Sequence, residues 1–251
     1  EIQGYPVNHP LGDLSELEAY PFPDPDEPGI MDGLMNRVDR EQVLVTGEIC
    51  FPVQDRAHLL MGLDNFCMAA VDQPDRVATL LRRIADCPKP VIARVQGPAY
   101  GGGVGVIAAC DMAVATFESR FALTEVKLGL IPAVIGPHVL AAIGERYARR
   151  YMLTAEVFSA AEAYRIGLLH EMVADEAALD EAVGEWIEAV LRNGPQALAE
   201  CKVLIRAITG RPYGQKAIDF TVESIARLRV SPEGQEGLAA FLEKRRPDWV
   251  S

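Results

Sequence analysis

The stretch that decides the fold is Pro98-Ala99-Tyr100-Gly101-Gly102-Gly103-Val104-Gly105, which joins an apolar strand-like run to an apolar helix-like run. Three consecutive glycines remove every Cβ from this turn, so a ligand can approach the main chain closely. The first N–H groups of a helix lack partners within the helix, and the helix dipole is positive there. The turn is therefore a predicted site for a developing oxyanion. The same glycines would also allow tight packing of the helix against the strand, and their spacing does not separate the two interpretations.

The composition limits the class of protein. The chain has 251 residues, a formal net charge of −12 and 49% hydrophobic residues, which is typical of a globular enzyme or subunit with a substantial core. The negative charge disfavours non-specific binding to nucleic acid. The sequence shows neither a long apolar run nor a basic-then-apolar N-terminal signal, so we expect no membrane span and no export signal.

The five cysteines are widely spaced, and none forms a CxxC pair. This pattern predicts neither a disulfide framework nor a metal site, and it favours a reducing cytoplasm. The chain contains no GxxxxGK[ST] phosphate loop, no GxGxxG dinucleotide turn and no GxSxG nucleophile elbow. We therefore expect neither a nicotinamide cofactor nor a serine nucleophile of that type.

The N-terminal part of the chain differs in amino-acid composition from the rest. Residues 1–40 are acidic and interrupted by prolines, and residues 21–29 are predicted to be an extended surface segment. Residues 43–46 form a short β-branched run and a predicted strand. Residues 56–71 carry apolar side chains at helical spacing, so a helix is predicted there.

The remainder predicts alternating strands and helices, followed by helices alone. Strand, helix and strand around the glycine turn predict a parallel βαβ unit with a right-handed crossover. The predicted strands cover 90–95, 111–115, 120–123 and an extended piece within 168–173. The predicted helices cover 74–85, the stretch after the glycine turn, 137–152, 160–166, 176–193, 195–208, 212–229 and 233–244. Ser159 and Glu162 have the spacing of a capping box, and Gly167 is placed to end the helix that follows Ser159.

Glu125 is the carboxylate whose surroundings favour chemistry. It lies in an otherwise largely apolar segment, residues 121–132, just after a predicted strand. Apolar surroundings raise the pKa of a carboxyl group, which suits it to general acid/base work. The alternative is an ordinary ion pair with Lys127 or Arg120.

Two further polar residues are weaker candidates. Asp111, at the junction of a helix and a strand, would be a second acid, although a role at the start of the strand is favoured. His138 follows Gly136-Pro137 and would face a ligand from the start of a helix, although a satisfied histidine of the surface or core is favoured.

Several ordered motifs resemble the enoyl-CoA hydratase/isomerase (crotonase) superfamily over about residues 80–251. They are Pro88-Lys89-Pro90-Val91-Ile92-Ala93, Gln96-Gly97-Pro98-Ala99-Tyr100-Gly101-Gly102-Gly103, Ala109-Cys110-Asp111, Glu125-Val126-Lys127-Leu128-Gly129-Leu130-Ile131-Pro132-Ala133, Leu153-Thr154-Ala155-Glu156 and Glu236-Gly237-Leu238-Ala239-Ala240-Phe241-Leu242-Glu243-Lys244-Arg245. Residues 132–137 and 142–146 further resemble the branch of methylglutaconyl-CoA and carboxygeranoyl-CoA hydratases.

The resemblance implies an α/β fold. Its core is a crotonase-like spiral of ββα turns, with parallel strands and helices, and a C-terminal helical region follows that forms trimers, often a dimer of trimers. On this basis the chain divides into an atypical N-terminal segment over 1–78, a spiral core over 79–190 and a helical region over 191–251.

The resemblance also implies roles for individual residues. The Gly102 N–H matches one of two amides that hold the thioester oxyanion, and Glu125 matches the carboxylate that handles the water and the α-proton. Phe241 and Lys244 match residues that touch the nucleotide end of CoA, often across a subunit boundary. The remaining residues assigned to substrate binding are Tyr100, Gly101, Gly103, Gly105 and Pro132. No separate cofactor is implied, because CoA is part of the acyl-CoA substrate.

Two features depart from the family pattern. Many hydratases carry a second glutamate two residues after the glycine triplet, where this chain has Gly105. Two carboxylates that hold the water between them are then absent. A mechanism with one glutamate is the alternative, and a carboxylate of the substrate could assist it. The Ala-Gly-x-Asp loop that supplies the second oxyanion amide is not found in residues 1–80. A backbone N–H from residues 41–55, near Thr46-Gly47-Glu48, is the candidate replacement.

Residues 1–78 resemble instead a fragment of the uroporphyrinogen decarboxylase-like family, which includes corrinoid methyltransferases. Residues 20–25 and 56–66 carry this likeness, and the join is placed near residues 75–83. Three functions follow: a lyase that adds water to a 2,3-enoyl-CoA, a non-catalytic CoA-binding or scaffold subunit, and a relative of the decarboxylases or methyltransferases. The first is favoured, and the third is disfavoured because only a fragment of the barrel family is present.

Overall fold

The computed structural model describes residues 44–49, 74–209 and 214–250. Within these ranges the strands are β1 (Leu44–Ile49), β2 (Val91–Val95), β3 (Ala99–Tyr100), β4 (Met112–Thr116), β5 (Arg120–Ala122), β6 (Phe158–Ser159) and β7 (Glu171–Val173). The helices are α1 (Pro74–Asp86), α2 (Gly102–Ala109), α3 (Gly136–Thr154), α4 (Ala160–Arg165), α5 (Glu176–Leu191), α6 (Pro195–Ile208), α7 (Gln215–Arg229) and α8 (Pro232–Glu243). The helix predicted over 56–71 lies outside the described residues.

The strands form two sheets. The first has the order β1-β2-β4-β7, and each neighbouring pair is parallel. The second has the order β3-β5-β6, with β3 parallel and β6 antiparallel to β5. Because β2 and β4 are direct neighbours and α2 lies between them in the chain, the predicted parallel βαβ unit is confirmed, and with it the α/β fold class.

The central strands β2 and β4 of the first sheet are buried on both faces, as strands of parallel sheets normally are. Side chains alternate along each strand, so Ala93 and Ala113 pack into one hydrophobic cluster, while Ile92 and Val114 pack into another. The first cluster also contains residues of α2 and α3. The second is closed by one side of α5, through Leu179, Val183 and Ile187.

Helix α4 begins and ends where Ser159 and Gly167 predict. The Ser159 hydroxyl accepts a hydrogen bond from the Glu162 N–H at 3.3 Å, and Gly167 adopts a positive φ of 87° just after the helix. The Glu162 carboxylate does not complete the capping box. It accepts hydrogen bonds from the Tyr151 hydroxyl at 2.5 Å and from Arg165 at 2.6 Å. These bonds to the charged form hold the pKa of Glu162 at about 2, and the Tyr151 hydroxyl is shifted to a pKa of about 12, mainly by burial.

A partly buried ion pair joins α6 to the core. Lys202 of α6 places its Nζ 2.5 Å from Asp111 Oδ2 and 3.1 Å from the Lys89 carbonyl. The same Asp111 oxygen accepts the Val91 N–H at 2.7 Å. Asp111 therefore fixes the starts of β2 and β4 relative to α6, which confirms its favoured interpretation as a residue at the start of a strand.

Candidate active site

The three glycines lie where β3 passes into α2, as predicted. The Gly101 N–H donates to the Ala122 carbonyl of β5 at 2.8 Å, which fastens the turn to the second sheet. Gly101 has φ 51° and ψ −118°, a conformation that residues with a Cβ rarely adopt. Helix α2 begins at the next residue, and no side chain caps it. The backbone at this turn therefore requires glycine at position 101.

The N–H groups of Gly102 and Gly103 are the open donors of the turn. The following two N–H groups, of Val104 and Gly105, are directed at the Gly101 carbonyl at 3.0 and 3.4 Å. Within the described parts of the chain no acceptor faces Gly102 or Gly103, as expected for the first turn of a helix. Gly103 is buried and Gly102 is partly exposed, so the Gly102 N–H is the candidate donor for a ligand. Its place at the positive end of α2 favours an anion.

The Glu125 carboxylate lies directly against this turn. A Cβ built on Gly101 would be 3.2 Å from Glu125 Oε1 and 3.7 Å from its Cδ. The register between β3 and β5 explains the proximity, since Tyr100 pairs with Ala122 and Glu125 follows three residues later, at the start of a 3-10 helix. The acid group and the triple-glycine bend, which lie more than twenty residues apart in sequence, are therefore brought together.

The surroundings of Glu125 favour its neutral form. Burial raises the pKa of this carboxyl group above its usual value, and a hydrogen bond from its own backbone N–H partly opposes the shift. Glu125 Oε2 is enclosed and has no hydrogen-bond partner in the described residues. The ion pair considered from sequence is not formed there: Arg120 reaches Glu118 instead, at 3.7 Å, and Lys127 is exposed. An enclosed oxygen without a partner is an acceptor that a bound ligand or water can satisfy.

Gly105 lies one turn further along α2, beneath Ile135. A Cβ built on Gly105 would be 2.5 Å from Ile135 Cβ and nearer still to its Cγ2. The space that a side chain would need is already filled, so this glycine has a packing role. Its contact with a substrate stays a prediction.

The other predicted residues lie at varied positions. Tyr100 and Pro132 are half-buried. Phe241, near the end of α8, is 79% exposed, and Lys244 forms the C-cap of that helix with φ 55°. Their contacts with the substrate stay predictions. His138 is half-buried on α3, where burial lowers its pKa and the charge of Asp86 opposes the shift.

Sequence reasoning missed two residues of this site. Thr124 places its Oγ1 3.6 Å from the Cβ position of Gly101, and its place next to Glu125 was the available signal. Ile135 covers Gly105 from thirty residues further along the chain, and no local pattern indicates that contact.

The candidate for the second oxyanion amide lies on β1. This strand pairs in parallel with β2, in register from Leu44 to Thr46, and the register is irregular between Thr46 and Ile49. Gly47 and Glu48 fall within that irregularity, where a strand can leave an N–H outside the ladder. Residues 41–43 and 50–55 lie outside the described part of the chain, so the donor itself stays a prediction.

The described residues contain no group of three or more His, Cys, Asp or Glu side chains placed to hold a metal ion. In the same residues, no helix combines the length and the apolar composition that crossing a membrane requires.

Comparison with known proteins places the chain in a family. The sequence model of "Enoyl-CoA hydratase/isomerase" matches residues 68–251, which begins ahead of the join predicted at residues 75–83. The enoyl-CoA hydratase AKT6-1 of Alternaria alternata is 36% identical over 169 residues, or 66% of this chain and 56% of that protein. The crotonyl-CoA hydratase of Syntrophomonas wolfei is 32% identical over 173 residues, or 68% of this chain and 66% of that protein. The matched part is thus less than two thirds of either relative.

A solved structure shows the same fold. The crystal structure of an enoyl-CoA hydratase from Shewanella pealeana superposes with a TM-score of 0.72 at 37% identity, and the match covers 94% of this chain and 85% of the other. The described parallel strands and C-terminal helices agree with this likeness. The chain belongs to the enoyl-CoA hydratase/isomerase family.

Proposed function

We propose that this chain acts on enoyl-CoA thioesters and adds water across their 2,3 double bond. The observation that carries the proposal is the enclosed, unpartnered Glu125 carboxylate lying against a helix start whose Gly102 N–H is open. A thioester oxygen at Gly102 would place the reacting carbons beside the acid. An acyl-CoA substrate fits the family to which the chain belongs.

The chemistry requires a hydrogen-bond donor for the oxygen and a group that moves protons. As water oxygen bonds to C3, the double-bond electrons shift toward C2 and the thioester oxygen, and the Gly102 N–H stabilises the resulting enolate. Glu125 takes a proton from the water and returns one to C2, so that one water is added in total. One oxyanion donor contributes about 3–4 kcal/mol to the transition state. A carboxyl group with a raised pKa exchanges protons near neutral pH more readily than an exposed one.

A second function is favoured by the filled space beside Gly105. Moving a double bond from the 3,4 to the 2,3 position needs one acid/base group and no water. Glu125 would remove a proton from C2 to form the enolate and then return a proton to C4. Ile135 leaves no room for a second carboxylate at position 105, and Glu125 is the one acid that this shift needs.

The acyl group and the assembly are the finer parts of the proposal. Residues 132–137 and 142–146 favour a branched or carboxylated acyl group of the methylglutaconyl type, whose own carboxylate would assist in place of the second glutamate that this chain lacks at position 105. Phe241 and Lys244 would bind the nucleotide end of CoA. A homotrimer or a dimer of trimers is supported by α7, which has no buried residue among those described and exposes Val222 and Ile225. The free Cys87, Cys110 and Cys201 support a cytoplasmic setting.

The test follows the absorbance of the conjugated thioester. The full chain should consume crotonyl-CoA or 3-methylglutaconyl-CoA, and Glu125→Gln should reduce kcat by roughly a hundred- to ten-thousandfold. Glu118→Gln is the matched control, because this carboxylate follows β4, is 87% exposed and, among the described residues, pairs only with Arg120. A 3-enoyl-CoA substrate tests the isomerase reaction in the same assay.

Three outcomes would contradict the proposal. If calorimetry shows that CoA thioesters bind without any turnover, the chain is a CoA-binding or scaffold subunit. If a corrinoid or a porphyrin binds instead, the chain is a relative of the decarboxylases or methyltransferases that residues 1–78 resemble. Equal loss of activity in Glu118→Gln and Glu125→Gln would remove Glu125 from the reaction.

A further inference from the structure

We propose that Ile135 determines how many carboxyl groups the site can hold. By filling the space at position 105, it leaves Glu125 as the only acid that the described residues place at the glycine turn, so that hydration there proceeds with one carboxylate of the protein. Ile135 acts here as a positioning residue, through the position it closes. The chemical part of the inference rests on the proposed function, whereas the packing part does not.

The geometry of α2 shows where a side chain at position 105 would point. The Gly105 N–H is directed at the Gly101 carbonyl at 3.4 Å, so the two residues lie one turn apart on the helix. The Cα–Cβ bonds of a helix tilt toward its N-terminus. A side chain at position 105 would therefore lean toward the turn of Gly101 and Gly102, where the Glu125 carboxylate lies.

The obstruction cannot be removed by rotating the isoleucine side chain. The Cβ built on Gly105 meets Ile135 Cβ at 2.5 Å, and Cβ does not move when χ1 changes. Ile135 Cα is 3.5 Å away, so the main chain itself leaves room. Its backbone is held in place, because the Ile135 carbonyl accepts the Val139 N–H at 3.0 Å at the start of α3, and the residue is 5% exposed. Only a residue without Cβ at position 135 would free the space.

This distinction supplies matched variants. Ile135→Ala and Ile135→Gly both delete the branched side chain, but only Ile135→Gly removes the Cβ that blocks position 105. Ile135 has φ −85° and ψ −19°, so neither replacement is strained. A change at position 105 should therefore be tolerated in the glycine background and rejected in the alanine background.

The first experiment measures urea midpoints of Gly105→Ala in three backgrounds: wild type, Ile135→Ala and Ile135→Gly. We expect Gly105→Ala to lower the midpoint in the first two backgrounds and to leave it nearly unchanged in the third. Equal losses in all three would overturn the packing inference. This measurement needs no catalysis, so its result is independent of the proposed function.

The second experiment measures hydration and double-bond migration in Gly105→Glu/Ile135→Gly. A carboxylate from position 105 would take the proton of the attacking water while Glu125 gives a proton to C2, and the two acids then exchange one proton, so one water is added per turnover. The ratio of hydration to migration should rise roughly a hundredfold over Ile135→Gly alone, with a second ionisation in the pH–rate profile.

Gly105→Gln/Ile135→Gly is the control for shape. A merely structural effect would change this variant and its glutamate counterpart equally, and equal ratios would overturn the inference. A comparable gain from Gly105→Glu in the presence of Ile135 would overturn it as well. If the wild-type chain turns over neither substrate, the proposed function and the chemical part of the inference fall together, while the urea midpoints still decide the packing part.

Discussion

Gly101→Ala is the substitution that most directly tests the site. Gly101 has φ 51° and ψ −118°, so an alanine there would hold a strained backbone. Its methyl group would lie 3.2 Å from Glu125 Oε1 and 3.6 Å from Thr124 Oγ1. Either the carboxylate moves away or the turn opens, and both movements separate the acid from the Gly102 N–H.

The magnitude follows from these two effects. Strain at such a conformation costs on the order of 1–3 kcal/mol of stability. The contact alone moves the carboxylate by a few tenths of an ångström, and relief of the backbone strain would move the turn further. A displacement that reaches about 1 Å costs roughly a hundredfold in rate, or about 2.7 kcal/mol of transition-state stabilisation. We therefore expect kcat to fall by roughly ten- to a hundredfold. Stability should decline by no more than the strain, so the folded enzyme remains measurable.

The assay compares kcat, KM and the urea midpoint with those of Gly144→Ala. Gly144 interrupts α3 with φ 72° and has no atom within 4 Å of a built Cβ, so its alanine variant carries backbone strain without crowding a carboxylate. Gly144→Ala should lose stability and keep its kcat. A kcat for Gly101→Ala within about threefold of wild type would refute the reasoning, as would equal losses of kcat in both variants.

Three other substitutions test the electrostatics and the helix ends. Glu125→Gln should stabilise the fold progressively as pH rises above about 4.5, because burial disfavours the ionised carboxylate only in the folded state; urea midpoints from acid to neutral pH measure this. Lys202→Met leaves Asp111 without its cation and should cost about 3 kcal/mol of unfolding free energy, part of which a second substitution, Asp111→Asn, should restore. Glu233→Ala removes a carboxylate of α8 that accepts two N–H groups at the start of α6, each at 2.8 Å, and should cost about 1 kcal/mol in thermal unfolding.

Each of these expectations has a contrary result. A gain from Glu125→Gln that is the same at acid and neutral pH would mean that ionisation is not its cause. A loss below about 1 kcal/mol in Lys202→Met would mean that the ion pair is solvated rather than buried. The control for Glu233→Ala is Glu223→Ala on the exposed side of α7, and equal losses from the two would exclude helix capping.

The elements that could be predicted from sequence are those with a local signal. Strands β2 and β4 and helix α2 follow from apolar runs separated by the glycine turn, and α4 follows from Ser159 and Gly167. The two-residue strands β3 and β6 were missed, because each is defined by pairing with β5 rather than by a pattern of its own. The kink of α3 at Gly144 was missed for a similar reason, since a glycine inside a helical pattern does not reveal its φ.

The kinds of chemical group in the candidate site could be predicted from the sequence. A carboxylate in an apolar segment and a run of glycines before a helix pointed to Glu125 and Gly102, and the family resemblance named both. Whether Glu125 would be paired with Lys127 or Arg120 depended on the register of β3 against β5, which no local pattern contains. Tertiary contacts therefore exclude the ion pair, while the acid/base role of Glu125 stays a prediction.

Gly101 and Gly105 show why the glycine run could not be interpreted in only one way. A Cβ would be crowded at Gly101, where Glu125 Oε1 lies 3.2 Å away, and would have no room at Gly105, where Ile135 Cβ lies 2.5 Å away. One turn of α2 separates the two glycines. The absence of a Cβ lets a carboxylate lie against Gly101 and an apolar side chain pack against Gly105. The packing interpretation holds at the second position, while the first brings the acid to the open N–H of Gly102. Since both spaces are filled by residues far along the chain, the role of each glycine is set by what packs against it, and exchanging the residue at 135 should change the chemistry available at 105.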